Sequence, residues 1–200
     1  LLNILPESIA NRLKKGESPI ADDFDSSTVL FADIAGFTEI SSSITATDVV
    51  LHLNSIFSLF DGLIKKHSLE KIKTIGDCYM LVGGIPNPDK GHAEAVIEMA
   101  KDMLKTIEDV NKKTNQFLKI RIGISSGSVS AGVIGRDKFI YDLWGDTVNV
   151  ASRMESFGEN DKIHISKETY TLLKEKYKFI KREVLNIPGK GDMQTYFLDN

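Results

Sequence analysis

Two aspartates carry the strongest chemical signal in this sequence. Asp33 closes the apolar run Thr28-Val29-Leu30-Phe31-Ala32, and Asp77 sits in the turn between Lys71-Ile72-Lys73-Thr74-Ile75-Gly76 and Cys78-Tyr79-Met80. A carboxylate in β-branched, apolar surroundings is costly to bury unless something balances its charge. Two such groups brought to one spot need a cation between them, or one must take up a proton. Paired carboxylates are hard oxygen ligands of the kind that Mg2+ or Mn2+ prefers. Directly after Asp33 comes Ile34-Ala35-Gly36-Phe37-Thr38, a strand-to-helix turn. Backbone N–H groups at such a helix start can hold phosphates, and Gly36 allows close approach. Metal-bound polyphosphate is the cargo these features fit together. Taken singly, each has an ordinary alternative, Asp33 as a helix cap and Asp77 as a turn residue.

A third cluster lies in Tyr141-Asp142-Leu143-Trp144-Gly145-Asp146-Thr147-Val148-Asn149-Val150-Ala151-Ser152-Arg153-Met154-Glu155-Ser156. Asn149 and Arg153 stand one helical turn apart and share a face. An amide and a guanidinium so placed can grip a sugar and a phosphate. The plain alternative is that Arg153 pairs with Glu155 or another surface acid.

The elements that must position these residues follow from periodicity and punctuation. Leu2, Leu5, Ile9 and Leu13 recur at helical spacing over residues 1–16, with Lys14-Lys15-Gly16 as a stop signal. This helix either packs on its own domain or ends a two-helix connector from an upstream module. Residues 17–26 are polar and acidic and predict a linker, leaving 27–200 as the main domain. A buried strand is expected over Thr28–Ala32. A long helix capped by Thr45 or Thr47 follows, with Val49, Val50, Leu53, Ile56, Phe57, Phe60, Leu63 and Ile64 inward. Leu69–Ile75 and Cys78–Val82 predict a hairpin closed by Gly76-Asp77. A second long helix spans about Gly91–Asn111. Strands at Leu118–Ile124 and Val129–Ile134 flank a Ser/Gly-rich turn at 125–128, and Thr147–Phe157 is helical. The order strand–helix–hairpin–helix–strand predicts an α+β fold, a ferredoxin-like antiparallel-rich sheet with helices on one face.

The 200 residues, 42% apolar and 26% charged, fit a globular domain. A formal net charge of −3, with no basic stripe, argues against nucleic acid as a partner. Cys78 is the lone cysteine, so no intrachain disulfide forms. No apolar run is read as long enough to span a bilayer. The chain starts Leu1-Leu2 and is read as a fragment of a longer parent, either cytoplasmic or the cytoplasmic portion of a membrane-attached protein.

The three motifs Phe31-Ala32-Asp33-Ile34-Ala35-Gly36-Phe37-Thr38, Lys73-Thr74-Ile75-Gly76-Asp77-Cys78-Tyr79-Met80 and Tyr141–Ser156 resemble the catalytic domain of class III nucleotidyl cyclases. The closing Gly189-Lys190-Gly191-Asp192-Met193-Gln194-Thr195-Tyr196-Phe197-Leu198 resembles the end of that domain, so the likeness runs from about Ser27 to Leu198. It implies a homodimer with two active sites at the subunit interface. Asp33 and Asp77, with the Ile34 carbonyl, would hold two Mg2+ or Mn2+ ions. Gly36, Phe37 and Thr38 would meet the phosphates. The other subunit would supply Lys73 and Asp142 to read the base, and Asn149 and Arg153 to orient the ribose and stabilise the transition state. Guanylyl cyclases typically carry Glu and Cys where this chain has Lys73 and Asp142. Adenine offers an acceptor at N1 and a donor at N6, which a lysine and an aspartate can satisfy.

The resemblance therefore implies an adenylyl cyclase converting ATP to 3′,5′-cyclic AMP and pyrophosphate, as the output of a parent with an upstream sensory or membrane domain. Many members read Val-Lys-Gly-Lys-Gly where this chain reads Ile187-Pro188-Gly189-Lys190-Gly191. Pro188 thus stands where a triphosphate-holding lysine is usual, with Lys190, Arg136 or Lys138 as substitutes. A guanylyl cyclase and a catalytically weak nucleotide-binding dimerisation module are the alternatives, with a diguanylate cyclase or polymerase-palm relative more distant.

Overall fold

A computed structural model describes residues 4–37, 44–115, 117–135 and 138–199. Thr38, Leu2 and Arg136 lie outside the described residues. The elements run α1 (Glu7–Lys14), β1 (Ala21–Ala35), α2 (Ala46–His67), β2 (Glu70–Ile75), β3 (Cys78–Gly83), α3 (His92–Thr114) and β4 (Lys119–Ile134). They continue with β5 (Ile140–Trp144), α4 (Asp146–Ser156), β6 (Ile163–Ser166), α5 (Lys167–Leu173), β7 (Phe179–Lys181), β8 (Leu185–Ile187), β9 (Gly191–Met193) and β10 (Thr195–Leu198).

The main sheet has the order β2-β3-β1-β4-β6-β10-β7, with β5 also paired to β4. Every pairing is antiparallel except β4 with β6. This is the α+β, antiparallel-rich architecture expected, with the first strand and the hairpin as neighbours. The β8–β9 ribbon stands apart as a two-stranded sheet.

Alternation along β1 sorts the core into two layers. Leu30, Ala32 and Ile34 join a cluster with Phe57 and Phe60 of α2 and Val96, Ala100 and Met103 of α3. Val29 and Phe31 join another with Leu5, Ile9 and Ala10 around α1, Tyr141 and Leu143 of β5, and Ala151 of α4. Helices therefore cover both faces of the sheet, not one as expected. Of the two placements open to the N-terminal helix, α1 packs on its own domain, and the Arg12 guanidinium bridges Glu17 and Asp22 where the chain enters β1.

Four further expectations change. The predicted linker is strand from Ala21 onward, because β1 keeps pairing with β4 across a bulge between Phe24 and Ser27. The Ser/Gly-rich turn at 125–128 is instead continuous β4. Its small residues serve packing: Ser126 Oγ bonds Thr28 Oγ1 and Thr169 Oγ1, and a Cβ on Gly127 would lie 2.6 Å from Thr147 Oγ1. Val50 is 64% exposed, outside the core face assigned to it, because Val49 and Leu53 are the residues of that first stretch that turn toward the core. Finally, α2 is long and apolar enough to cross a membrane by length and composition, contrary to the sequence reading. Here Ile56, Phe57 and Phe60 sit in the core of the domain.

Thr45 caps α2, its hydroxyl accepting from Asp48 N–H at 3.1 Å, and Ser68 ends the helix in the left-handed region.

Candidate active site

Asp33 lies near the end of β1, opposite Cys78 on β3 and Arg121 on β4. Asp77 lies in the two-residue turn joining β2 to β3, with Gly76 at φ +61°. Ile34 N–H donates to the Asp77 carbonyl at 3.3 Å, so the turn folds back onto β1 and brings the two aspartates together. Burial pushes the Asp33 carboxyl up to about 6, and the nearby carboxylates of Glu155 and Asp77 add to this while Arg121 opposes it. The same burial and the same acids push the Cys78 thiol up to about 12, so it stays protonated at neutral pH.

Arg121 is the cation in this nest. Its Nη2 is 3.2 Å from Asp33 Oδ1 and its Nε 3.0 Å from Glu155 Oε1. Two carboxylates thus share this guanidinium and Asp77 lies near Asp33, so among the described residues the local balance is negative. Among the described residues no group of three or more His, Cys, Asp or Glu side chains is arranged to hold a metal. The oxygen donors on hand are Asp33, Asp77 and the Ile34 carbonyl, a hard set that fits Mg2+ or Mn2+ better than a soft metal.

Just beyond, Gly36 takes φ +76° with open space where a Cβ would stand. Phe37 turns its ring into the core and is 6% exposed, so only its backbone can face a phosphate.

Lys73 on β2 and Asp142 on β5 are brought together, Nζ donating to Oδ2. Asp142 is the more buried partner, and its Oδ1 accepts from Leu143 N–H at 2.9 Å, which fixes the carboxylate's orientation. Asn149 and Arg153 project from the exposed side of α4. Neither makes a side-chain hydrogen bond or ion pair with another described residue, and the Arg153–Glu155 pairing weighed from sequence is not formed, because Glu155 turns inward to Arg121. Among the described residues, neither side chain is hydrogen-bonded or ion-paired to Asp33, Asp77, Lys73 or Asp142. Lys190 lies in the β8–β9 turn and pairs with Asp146 at the start of α4. Pro188 sits in that same turn.

The family model for the adenylate and guanylate cyclase catalytic domain matches residues 20–200. The chain belongs to this family. It is 45% identical over 199 residues to an adenylate cyclase of Mycobacterium tuberculosis, a match covering 99% of this chain and 45% of that protein. It is 43% identical over 200 residues to the guanylate cyclase soluble subunit beta-2 of Rattus norvegicus, covering 99% of this chain and 29% of that protein. The chain therefore spans less than half the length of these curated relatives. Among solved structures, the catalytic core of a rhodopsin-guanylyl cyclase with converted specificity, in complex with ATPalphaS, superposes with a TM-score of 0.84 at 40% identity. That match covers 89% of this chain and 97% of that one. The adenylyl cyclase CyaB from P. aeruginosa superposes with a TM-score of 0.84 at 30% identity, over 90% of this chain and 96% of that one.

Of the charged residues at this site in the cyclase domain, Arg121 escaped the sequence reading and Glu155 entered it only as a possible surface partner of Arg153. Both left a signal. Arg121 interrupts the buried run Ile120–Ile124, and Glu155 falls beside Val150, Ala151 and Met154 on the inner side of α4. A charge on a buried face needs a partner. Each found the other, and Arg121 found Asp33.

Proposed function

We propose that this domain is an adenylyl cyclase, forming 3′,5′-cyclic AMP and pyrophosphate from ATP at sites shared between two copies of the chain. The observation that carries the choice of base is the Lys73–Asp142 pair. Lysine can donate to adenine N1 and the carboxylate can accept from the N6 amino group. Guanine presents a protonated N1 and a carbonyl, which would leave both groups mismatched, and a site built on buried hydrogen bonds discriminates strongly.

Asp33, Asp77 and the Ile34 carbonyl would hold the divalent cations. Bound there, they would ease loss of the ribose 3′-hydroxyl proton and neutralise charge on the phosphates. The chain's own residues do the rest. Gly36 and the backbone after it offer N–H groups to the phosphates. Arg153 stabilises charge gathering at the α-phosphate. Asn149 orients the ribose so that its 3′-oxygen attacks in line, displacing pyrophosphate. Lys190 stands in for the missing lysine at 188 once drawn from Asp146.

The homodimer is supported by the separation of these groups within one chain. Asn149 and Arg153 lie exposed on α4, with no side-chain hydrogen bond or ion pair among the described residues. Apolar side chains lie exposed on the strands that carry the base-reading pair: Ile75 at 52%, Ile140 at 57% and Trp144 at 41%. A second copy would cover them. With α1 in the same apolar cluster as Tyr141 and Leu143 of β5, the connector role is retained as a proposal: an upstream sensory or membrane domain could act through this helix on a cytoplasmic catalytic unit.

Guanylate cyclases match this chain almost as well as adenylate cyclases do, which favours GTP as the second reading. Turnover with equimolar ATP and GTP in Mg2+ or Mn2+ separates them. Cyclic AMP in large excess is expected. Predominant cyclic GMP would overturn the assignment.

A further inference from the structure

How Lys73 comes to face Asp142 is itself informative. From Glu70 to Lys71, β2 is in regular register with β3, Lys71 opposite Leu81. Then one residue is gained: Lys73, not Ile72, stands opposite Met80, and Thr74 and Ile75 follow opposite Tyr79 and Cys78. This is a β-bulge, and such bulges re-aim side chains beside functional sites. Were the ladder to continue unbroken from Lys71, Lys73 would oppose Tyr79 and share its face. That face is the one covered by α2, where Tyr79 is fully buried with its ring 5.4 Å from Phe57 and 5.6 Å from Phe60. A one-residue slip moves a side chain to the other side of the sheet. The bulge instead places Lys73 on the side of Met80. Met80 and Ile72 pack in the cluster that holds Tyr141 and Leu143, the neighbours of Asp142 on β5.

Something must hold the strand in register immediately before the gained residue. Lys71 Nζ lies 2.7 and 3.0 Å from the two carboxylate oxygens of Asp61 on α2. The Tyr79 hydroxyl donates to Asp61 Oδ1 at 2.6 Å, and the Lys71 ammonium lies 5.0 Å from the centre of the Tyr79 ring. One carboxylate thus ties β2, β3 and α2 together at the last regular position. On the opposite face Ile72, half-buried, packs against the second core cluster.

We propose that Asp61 is a positioning residue for base recognition: through Lys71 and the Tyr79 hydroxyl it fixes the bulge at Ile72, which turns Lys73 toward Asp142. This rests on the base-reading role proposed for Lys73 above. Asp61 touches no substrate; it acts on the aim of Lys73. The Asp61 and Lys71 side chains are 46% and 34% exposed, and ion pairs of that exposure contribute little to stability. The pair can therefore be cut without unfolding the domain.

The test uses Asp61→Asn, which keeps an acceptor for the Tyr79 hydroxyl, and Lys71→Met, which keeps the apolar stem. Lys71→Arg is the conservative control and Lys73→Ala the reference for loss of base reading. The readouts are kcat/KM for ATP and for GTP, with thermal unfolding alongside. Both cutting variants should lower the ATP-over-GTP ratio on the order of tenfold, the value of about one weakened hydrogen bond. Lys71→Arg should restore it, and melting temperatures should stay within a few degrees of wild type. If Lys73→Ala collapses the ratio while Asp61→Asn and Lys71→Met leave it intact, base reading stands and the positioning role is refuted. Equal losses on both nucleotides refute it as well. If Lys73→Ala itself leaves the ratio unchanged, the base-reading assignment falls and takes this proposal with it.

Discussion

Placing a methyl group on Gly123 should misplace α4, the helix that carries Asn149 and Arg153, without touching any residue given a proposed role in chemistry. Gly123 sits in β4 opposite Phe31, beneath α4. A Cβ built there would meet the Glu155 amide nitrogen at 1.9 Å, its Cα at 2.5 Å and the Met154 carbonyl carbon at 2.5 Å, all main-chain atoms. Ordinary contact begins near 3.4 Å, so with Gly123→Ala the helix must retreat by about 1.5 Å or the strand must buckle. No rotamer change can relieve a clash with backbone. Over-packing of this kind costs on the order of 1–3 kcal/mol, and more where nothing can yield. The helix carries Asn149 and Arg153, and a displacement of about 1 Å in a positioned group can cost roughly 100-fold in rate. Loss of Glu155 from Arg121 would follow from the same movement. The assay is cyclic nucleotide formation at saturating ATP, with thermal unfolding to separate loss of fold from loss of alignment. Turnover should fall at least about 100-fold while a cooperative transition survives at lower temperature. A Gly123→Ala protein with wild-type turnover and melting temperature would refute the account of how α4 is seated.

Three other outcomes are expected. Pro188→Lys should lower KM for ATP on the order of tenfold with kcat little changed, the value of one charge-assisted contact, and an unaltered KM would count against a triphosphate role at that position. His164 is fully buried, its Nδ1–H donating to the Met154 carbonyl at 2.6 Å and its Nε2 accepting from Arg182 at 3.3 Å, so the fold needs it neutral. Burial holds its pKa down at about 4 against the ordinary 6.5, so the unfolded chain takes up the proton first. Stability should therefore be complete above pH 6.5 and fall as pH drops toward 4. Urea unfolding across that range should show a smaller loss for His164→Gln, and an identical loss would remove His164 as the cause. Turnover per subunit should rise with protein concentration, and Trp144→Arg should move that rise to concentrations at least about tenfold higher. Full activity in a strict monomer would contradict the shared site.

Much of the fold was legible because its signals are local. The hairpin announces itself by two β-branched runs around Gly76-Asp77, and the long helices by their apolar stripes. What the sequence hid was set by distant partners. Ser125–Ser128 has the composition of a turn, yet its hydroxyls and its missing Cβ atoms meet Thr28, Thr169 and Thr147 across the sheet. The polar stretch after Ala21 lacks strand character of its own and is strand because β4 is long enough to pair with it. Val50 fits the helical stripe of α2 but falls at its edge, where its neighbour Val49 takes the inward place. At the site, Asp33, Asp77, Lys73 and Asp142 stood out by motif. Arg121 and Glu155 did not, because their meaning arises only when β4 and α4 are laid together.

Cyclic AMP formation from ATP in Mn2+, measured side by side for wild type and Asp33→Ala, bears most directly on the central claim. A metal held at this carboxylate, as proposed, would supply charge stabilisation worth several kcal/mol, so the variant should fall by about a thousandfold while keeping its fold. Undiminished cyclic AMP synthesis by Asp33→Ala would contradict it.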